Sequence, residues 1–153
     1  MPHPFRKHPT RALLRKLYDE VDALFSQLSC DNSAECCHFG MTGREPYPTA
    51  VELAELEVAL LARPLPSKKR LAMVEERRTC PLLGADGRCG AYASRPFGCR
   101  TFFCDLALGE RPPREEVQRI SRAIAELSAV HAPRDPGPRP LSRALARGLT
   151  SRS

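Results

Sequence analysis

The residues with chemistry in them are seven cysteines, and they fall in two groups: Cys30, Cys36 and Cys37, then Cys80, Cys89, Cys99 and Cys104. No cysteine lies elsewhere in the 153 residues. Packing cysteines behave as small apolar side chains scattered through a core. Thiols gathered in glycine-containing, loop-like segments are what metal ligation requires, because thiolates from separate stretches must converge on one ion. The spacings are not those of a zinc ribbon: five, none, 42, eight, nine and four residues intervene, with no C-x-x-C pair. Adjacent residues point in different directions on any regular backbone, so Cys36 and Cys37 cannot readily share one tetrahedron. Either they serve two metals or one of them has another task. His38 is a candidate nitrogen ligand. No nucleophile–base–orienter constellation is evident, and no catalytic residue is assigned.

The charge balance gives little ground for a nucleic-acid partner. The formal charge is +6, but residues 133–153 hold five Arg and one Asp, so +4 of it sits in the last 21 positions. Metal-bound cysteines are thiolates, and four of them around one Zn²⁺ add a net −2. The chain is 42% apolar and 6% aromatic, has no Trp, and has fifteen prolines. No secretory signal and no membrane span is readable. An odd number of thiols without an export signal points to a reducing compartment, and hence to a cytoplasmic protein whose cysteines are ligands rather than disulfides.

The elements that must position the cysteines are mostly helices. Residues 1–9, with three prolines, read as a flexible arm in which His3 and His8 are solvated. Thr10 is placed to cap a helix to about Ser29, with Leu14, Leu17, Val21, Leu24, Phe25 and Leu28 as its apolar stripe and Arg15, Asp19 and Asp22 opposite. Thr49 and Glu52 form a capping box for a second helix, apolar over a wide arc and ending before Pro64. Its acids Glu52, Glu55 and Glu57 suit the helix dipole. Ser67 begins a shorter helix to about Arg77, opening on the basic cluster Lys68, Lys69 and Arg70. Pro81-Leu82-Leu83, a turn at Asp86-Gly87 and a return strand from Arg88 to Tyr92 read as a hairpin. Ser94-Arg95-Pro96 opens a further helical turn. Pro112-Pro113 start a last helix carrying Val117, Ile120, Ile124, Leu127 and Val130. The fold expected is mainly α: about four helices around one core over residues 10–132, with a small hairpin carrying the cysteine-rich site, and a disordered basic tail over 133–153; the alternative for 141–147 is a short basic helix on a partner or membrane surface.

The string CPLLGADGRCGAYASRPFGCR adds a resemblance. Its Cys80, Pro81, Leu83, Cys89, Tyr92, Arg95, Pro96, Cys99 and Arg100 match the signature of the bacterial cysteine-cluster family named for zinc or iron chelation, often called YkgJ-like or CxxCxxCC proteins. Cys104 matches a further cysteine of that family, and Cys30, Cys36 and Cys37 match its upstream motif. Ser33 stands where the family has its second cysteine. The resemblance covers about residues 30–104 and implies Zn²⁺ or Fe as cofactor, held by the seven cysteines. A serine hydroxyl is a weak ligand beside a thiolate, so one position is lost or filled by His38 or water, or was never a ligand. Arg95 and Arg100 would neutralise a thiolate site and donate hydrogen bonds to sulfur. Flagellin lysine-N-methylases carry a similar cysteine motif, which keeps open an iron–sulfur protein with a redox or methyltransferase-associated role. Nothing here resembles a nucleotide or S-adenosylmethionine loop. A third reading is a basic interaction module for an anionic protein or other partner.

Overall fold

The computed structural model describes residues 4–28, 43–61, 79–102 and 109–146. The helix expected over 67–77, and its Lys68–Arg70 cluster, lie outside them. Five helices are present among the described residues: α1 (Pro9–Leu24), α2 (Ala50–Leu60), α3 (Phe97–Thr101), α4 (Arg114–His131) and α5 (Leu141–Ala146). α1, α2 and α4 pack on one another, and α3 docks on α1.

α1 is capped two residues earlier than at the expected Thr10. His8 is the N-cap, its Nδ1 accepting the Thr10 N–H at 3.3 Å, and Pro9 takes the first helical position, where its missing N–H costs nothing. The helix stops at Leu24, short of Ser29, and Phe25 closes it with a hydrogen bond to Val21 O. The buried stripe contains the expected Leu14, Val21, Phe25 and Leu28, together with Tyr18, which was not expected. The N-terminal arm is partly folded: Pro4–Lys7 make a 3-10 turn that buries Phe5. His8 is exposed yet engaged. The Thr10 hydroxyl sits 2.6 Å from His8 Nδ1 and 3.2 Å from His131 Nδ1, and both rings contact Phe5. Burial, then the neighbouring His8, hold the His131 imidazole below its usual value.

α2 is the centre of the molecule. Thr49 precedes it as N-cap, and Glu52 reaches back to the Thr49 N–H at 2.8 Å, as the capping box predicts. Every residue from Val51 to Leu56 is buried, so the helix is covered on both faces. One face joins α1 and α4 in a cluster built on Leu14, Val21, Val51, Val58, Ile120 and Ile124. The other presents Leu53, Leu56 and Leu60 to Cys80, Leu82 and Ala91 and to Leu141, Ala144 and Leu145 of α5. Among the described residues there are thus two apolar clusters, one on each side of α2, instead of the single core expected.

α4 follows Pro113 with Glu115 and Glu116 in its first turn, as expected. Its stripe ends early: Ile120 and Ile124 are buried, but Val130 is 74% exposed. The described part of the tail, up to residue 146, is seated on the fold instead of trailing as disordered chain. Ala50 N–H donates to Pro136 O, Arg139 N–H to Pro48 O, and Leu141 N–H to Pro46 O. Ser128 Oγ accepts the Val51 N–H at 3.2 Å and donates to Pro136 O at 2.8 Å. Two otherwise orphaned N–H groups of α2's first turn are satisfied this way. The 141–147 segment, read as tail or as a helix on an outside surface, contributes α5, whose Leu141, Ala144 and Leu145 cover the Cys80 side of α2.

Candidate metal centre

The stretch from Cys80 to Arg88 is a tight loop instead of a two-stranded hairpin. Gly84 N–H and Gly87 N–H bond to Arg88 O and Gly84 O, and Gly87 takes φ +77°, which an L side chain resists. The ladder expected around Asp86-Gly87 shrinks to one antiparallel bridge, Leu83 with Cys89, and Tyr92 begins a 3-10 turn (Tyr92–Ser94) rather than ending a strand. Cys80 is a free thiol, 5% exposed, within the apolar cluster over α2. Cys89 is half-buried against the same cluster. Cys99 is half-buried in the middle of α3. Cys30, Cys36, Cys37, His38 and Cys104 lie outside the described residues, as does Ser33. Among the described residues no three His, Cys, Asp or Glu side chains are placed to hold a metal. Thiol sulfur suits zinc and iron alike, so the donor chemistry fits either metal, but a complete set needs thiols from the remaining cysteines.

What the structure shows in full is the mounting of the Ser94–Arg100 segment. Arg100 is 4% exposed, and all three of its nitrogens bond to oxygen: Nε to Arg95 O (2.8 Å), Nη2 to Ala93 O (2.8 Å) and Nη1 to Asp22 Oδ2 (2.7 Å). Its guanidinium also lies 3.9 Å from the centre of the Tyr18 ring, a cation–π contact. Arg95 stacks on the exposed Tyr92 ring at 4.0 Å, donates to Tyr92 O, and stands 3.7 Å from Asp22 Oδ1. The two motif arginines, read from sequence as neighbours of sulfur, have carbonyls, Asp22 and aromatic faces as their recorded partners. Pro96, read as a turn residue, is buried and is the N-cap of α3, one position before the helical place expected.

Two carboxylates of α2 complete the mounting. Glu55, fully buried, accepts from Arg11 Nε at 2.7 Å, Arg15 Nη1 at 3.2 Å and Ser94 Oγ at 3.1 Å. Glu52, 2% exposed, accepts from Thr49 N–H and Oγ1–H, Tyr18 Oη–H (3.2 Å) and Phe97 N–H (2.7 Å). Burial raises the Glu52 carboxyl above its ordinary value, and these donors oppose that rise. Four donors aimed at one carboxylate hold it as an acceptor. Asp22 and Arg15 thus reach the motif segment from α1 while keeping 42% and 43% of their side chains exposed. Tyr18, Asp22, Glu52, Glu55 and Ser94 were missed as a constellation. A signal was present: two acids three residues apart inside a helix apolar all round must be buried, and buried carboxylates need donors.

The flanks of the two cysteine groups meet. Gly109 has φ +119°, and a Cβ there would stand 2.1 Å from Gln27 O, so only glycine lets the chain press against the end of α1. Gln27 and Leu28 lead into the first cysteine group, and Gly109 follows Cys104 by five residues.

Neither the search of curated proteins nor that of solved structures returns a match. The family comparison does: the CxxCxxCC model, described as "Putative zinc- or iron-chelating domain", matches residues 29–122, which take in both cysteine groups and the whole mounted segment. On that match, the chain belongs to the CxxCxxCC family.

Proposed function

We propose that this protein chelates zinc or iron through thiolates drawn from Cys30, Cys36, Cys37, Cys80, Cys89, Cys99 and Cys104, with His38 or water as the candidate for a position the thiolates leave open. The observation that carries this reading is the convergence at the end of α1. Arg100, next to Cys99, is tied to Asp22 of α1, and Gly109 presses on Gln27. Two peptide units, about 7 Å at full extension, separate Leu28 from Cys30. The same bound separates Phe102 from Cys104. The chain therefore enters the first cysteine group and returns from the second close to the helix that carries Cys99, as a site shared between the two groups requires. No described helix is long and apolar enough to cross a membrane, and we place the protein in the reducing cytoplasm, where thiolates persist.

Cys80→Ser, Cys89→Ser and Cys99→Ser are each expected to lower the metal bound per chain, read by elemental analysis of purified protein. Wild-type stoichiometry in all three would remove these cysteines from the site. The same samples separate the alternatives. Acid-labile sulfide with iron would indicate a cluster and a redox or methyltransferase-associated role. Metal-free wild-type protein that binds polyanions in a salt-dependent way would favour the interaction module instead.

A further inference from the structure

We propose that Asp22 and Glu52, neither of them in the cysteine motif, are positioning residues for Cys99; the inference rests on reading Cys99 as a metal ligand. α3 has five residues, far too few to hold helical form alone. Its N-cap is Pro96, which offers no side-chain acceptor for the orphaned N–H groups of the first turn. Glu52 supplies that acceptor from 45 residues away, taking the Phe97 N–H at 2.7 Å. At the other end Asp22 holds Arg100, whose remaining nitrogens are fixed on the carbonyls of Ala93 and Arg95.

Cys99 is thus flanked by two residues with little freedom. Gly98 lies so close to Pro46 that a Cβ would come within 3.1 Å of its ring. Arg100 is clamped between Asp22 and the Tyr18 ring. The Cα of Cys99 is held by the scaffold before any metal arrives. A ligand already in place loses less freedom on binding, so metal affinity gains what flexible loops would forfeit. Asp22 lies outside the span matched by the family, so this chain uses its own first helix to fix a family cysteine.

The test is Co²⁺ titration of the metal-depleted full chain, followed by the thiolate-to-cobalt absorption bands, with Zn²⁺ affinity from competition. Asp22→Ala is the main variant, because alanine favours the helix it occupies and should leave the fold intact. Glu52→Gln is the second, and Arg119→Gln the control, since among the described residues Arg119 makes exposed ion pairs with Glu20 and Glu116, away from α3. The expected result is about a tenfold loss of affinity and altered thiolate bands in Asp22→Ala, as for other groups that orient metal ligands. The control should match wild type. A purely structural role would lower the unfolding temperature while leaving affinity and bands unchanged, and that result would overturn the proposal. If Glu52→Gln does not fold, Asp22→Ala decides alone. Cys99→Ser separates the two levels: wild-type affinity and bands in that variant would overturn both the inference and Cys99 as a ligand, whereas an effect in Cys99→Ser with none in Asp22→Ala would overturn the inference only.

Discussion

Glu52→Ala is expected to cost about 4 kcal/mol of folding stability, the largest loss among the polar residues described. The estimate comes from what stays behind. Truncation strands the Tyr18 hydroxyl, the Thr49 N–H and the Phe97 N–H without an acceptor in a site that is 2% exposed. Each buried donor left unpaired costs roughly 1–3 kcal/mol. Against a total stability of about 5–15 kcal/mol for a domain of this size, that is a large share. Glu55 accepts as many bonds, but its Arg11 and Arg15 partners keep 29% and 43% of their side chains exposed, so water can replace the carboxylate there. Glu55→Ala should therefore cost clearly less than Glu52→Ala. Urea denaturation of the two variants beside wild type measures both. Equal losses, or a Glu52→Ala loss under about 1 kcal/mol, would mean that the buried network does not fasten α3 as described.

The second large effect is expected on metal removal, and it should be confined to one side of the molecule. Among the described residues, the cluster joining α1, α2 and α4 contains no cysteine, whereas the cluster on the other face of α2 includes Cys80 and packs Cys89. Chelation should leave most of the far-ultraviolet helical signal and the protection of α1 and α4 amides. Amides between Cys80 and Ala91 should exchange with solvent at least about tenfold faster, as a separate cooperative unit opens, while α3 stays fastened to α1 and α2. Complete unfolding would show that the metal holds the entire fold, as it does in small zinc domains. Unchanged exchange over 80–91 would show that the Cys80–Cys89 loop owes nothing to metal. Either result contradicts the division of the molecule into a metal-independent and a metal-dependent side.

The parts of this architecture that depend on local periodicity were legible in the chain. α4 begins after Pro113, α2 has its Thr49–Glu52 cap, and α1 carries Leu14 and Val21 on one face, because those features are set by residues three or four apart. The mounting of Cys99 was not legible, because its bonds span the chain: 78 residues separate Asp22 from Arg100, and 45 separate Glu52 from Phe97. A capping box explains Glu52 so completely at short range that its second role at α3 leaves no local trace. The tail misled for another reason. Its Pro, Arg and Gly content outweighed the i, i+3, i+4 spacing of Leu141, Ala144 and Leu145, the three residues that pack on α2. The hairpin was inferred from Asp86-Gly87, but the turn closes on one bridge and the chain then coils at Tyr92. The cysteine signature itself was the most legible feature of all, and the family match over residues 29–122 agrees with it.

Elemental analysis with a visible absorption spectrum, on protein purified without air and without nickel chromatography, tests the central claim most directly. The account predicts about one or two zinc or iron atoms per chain, lost in the cysteine variants. Colourless protein would identify zinc, and a brown protein with labile sulfide an iron–sulfur cluster. A folded wild-type chain containing neither metal, and taking up neither when supplied, would contradict it.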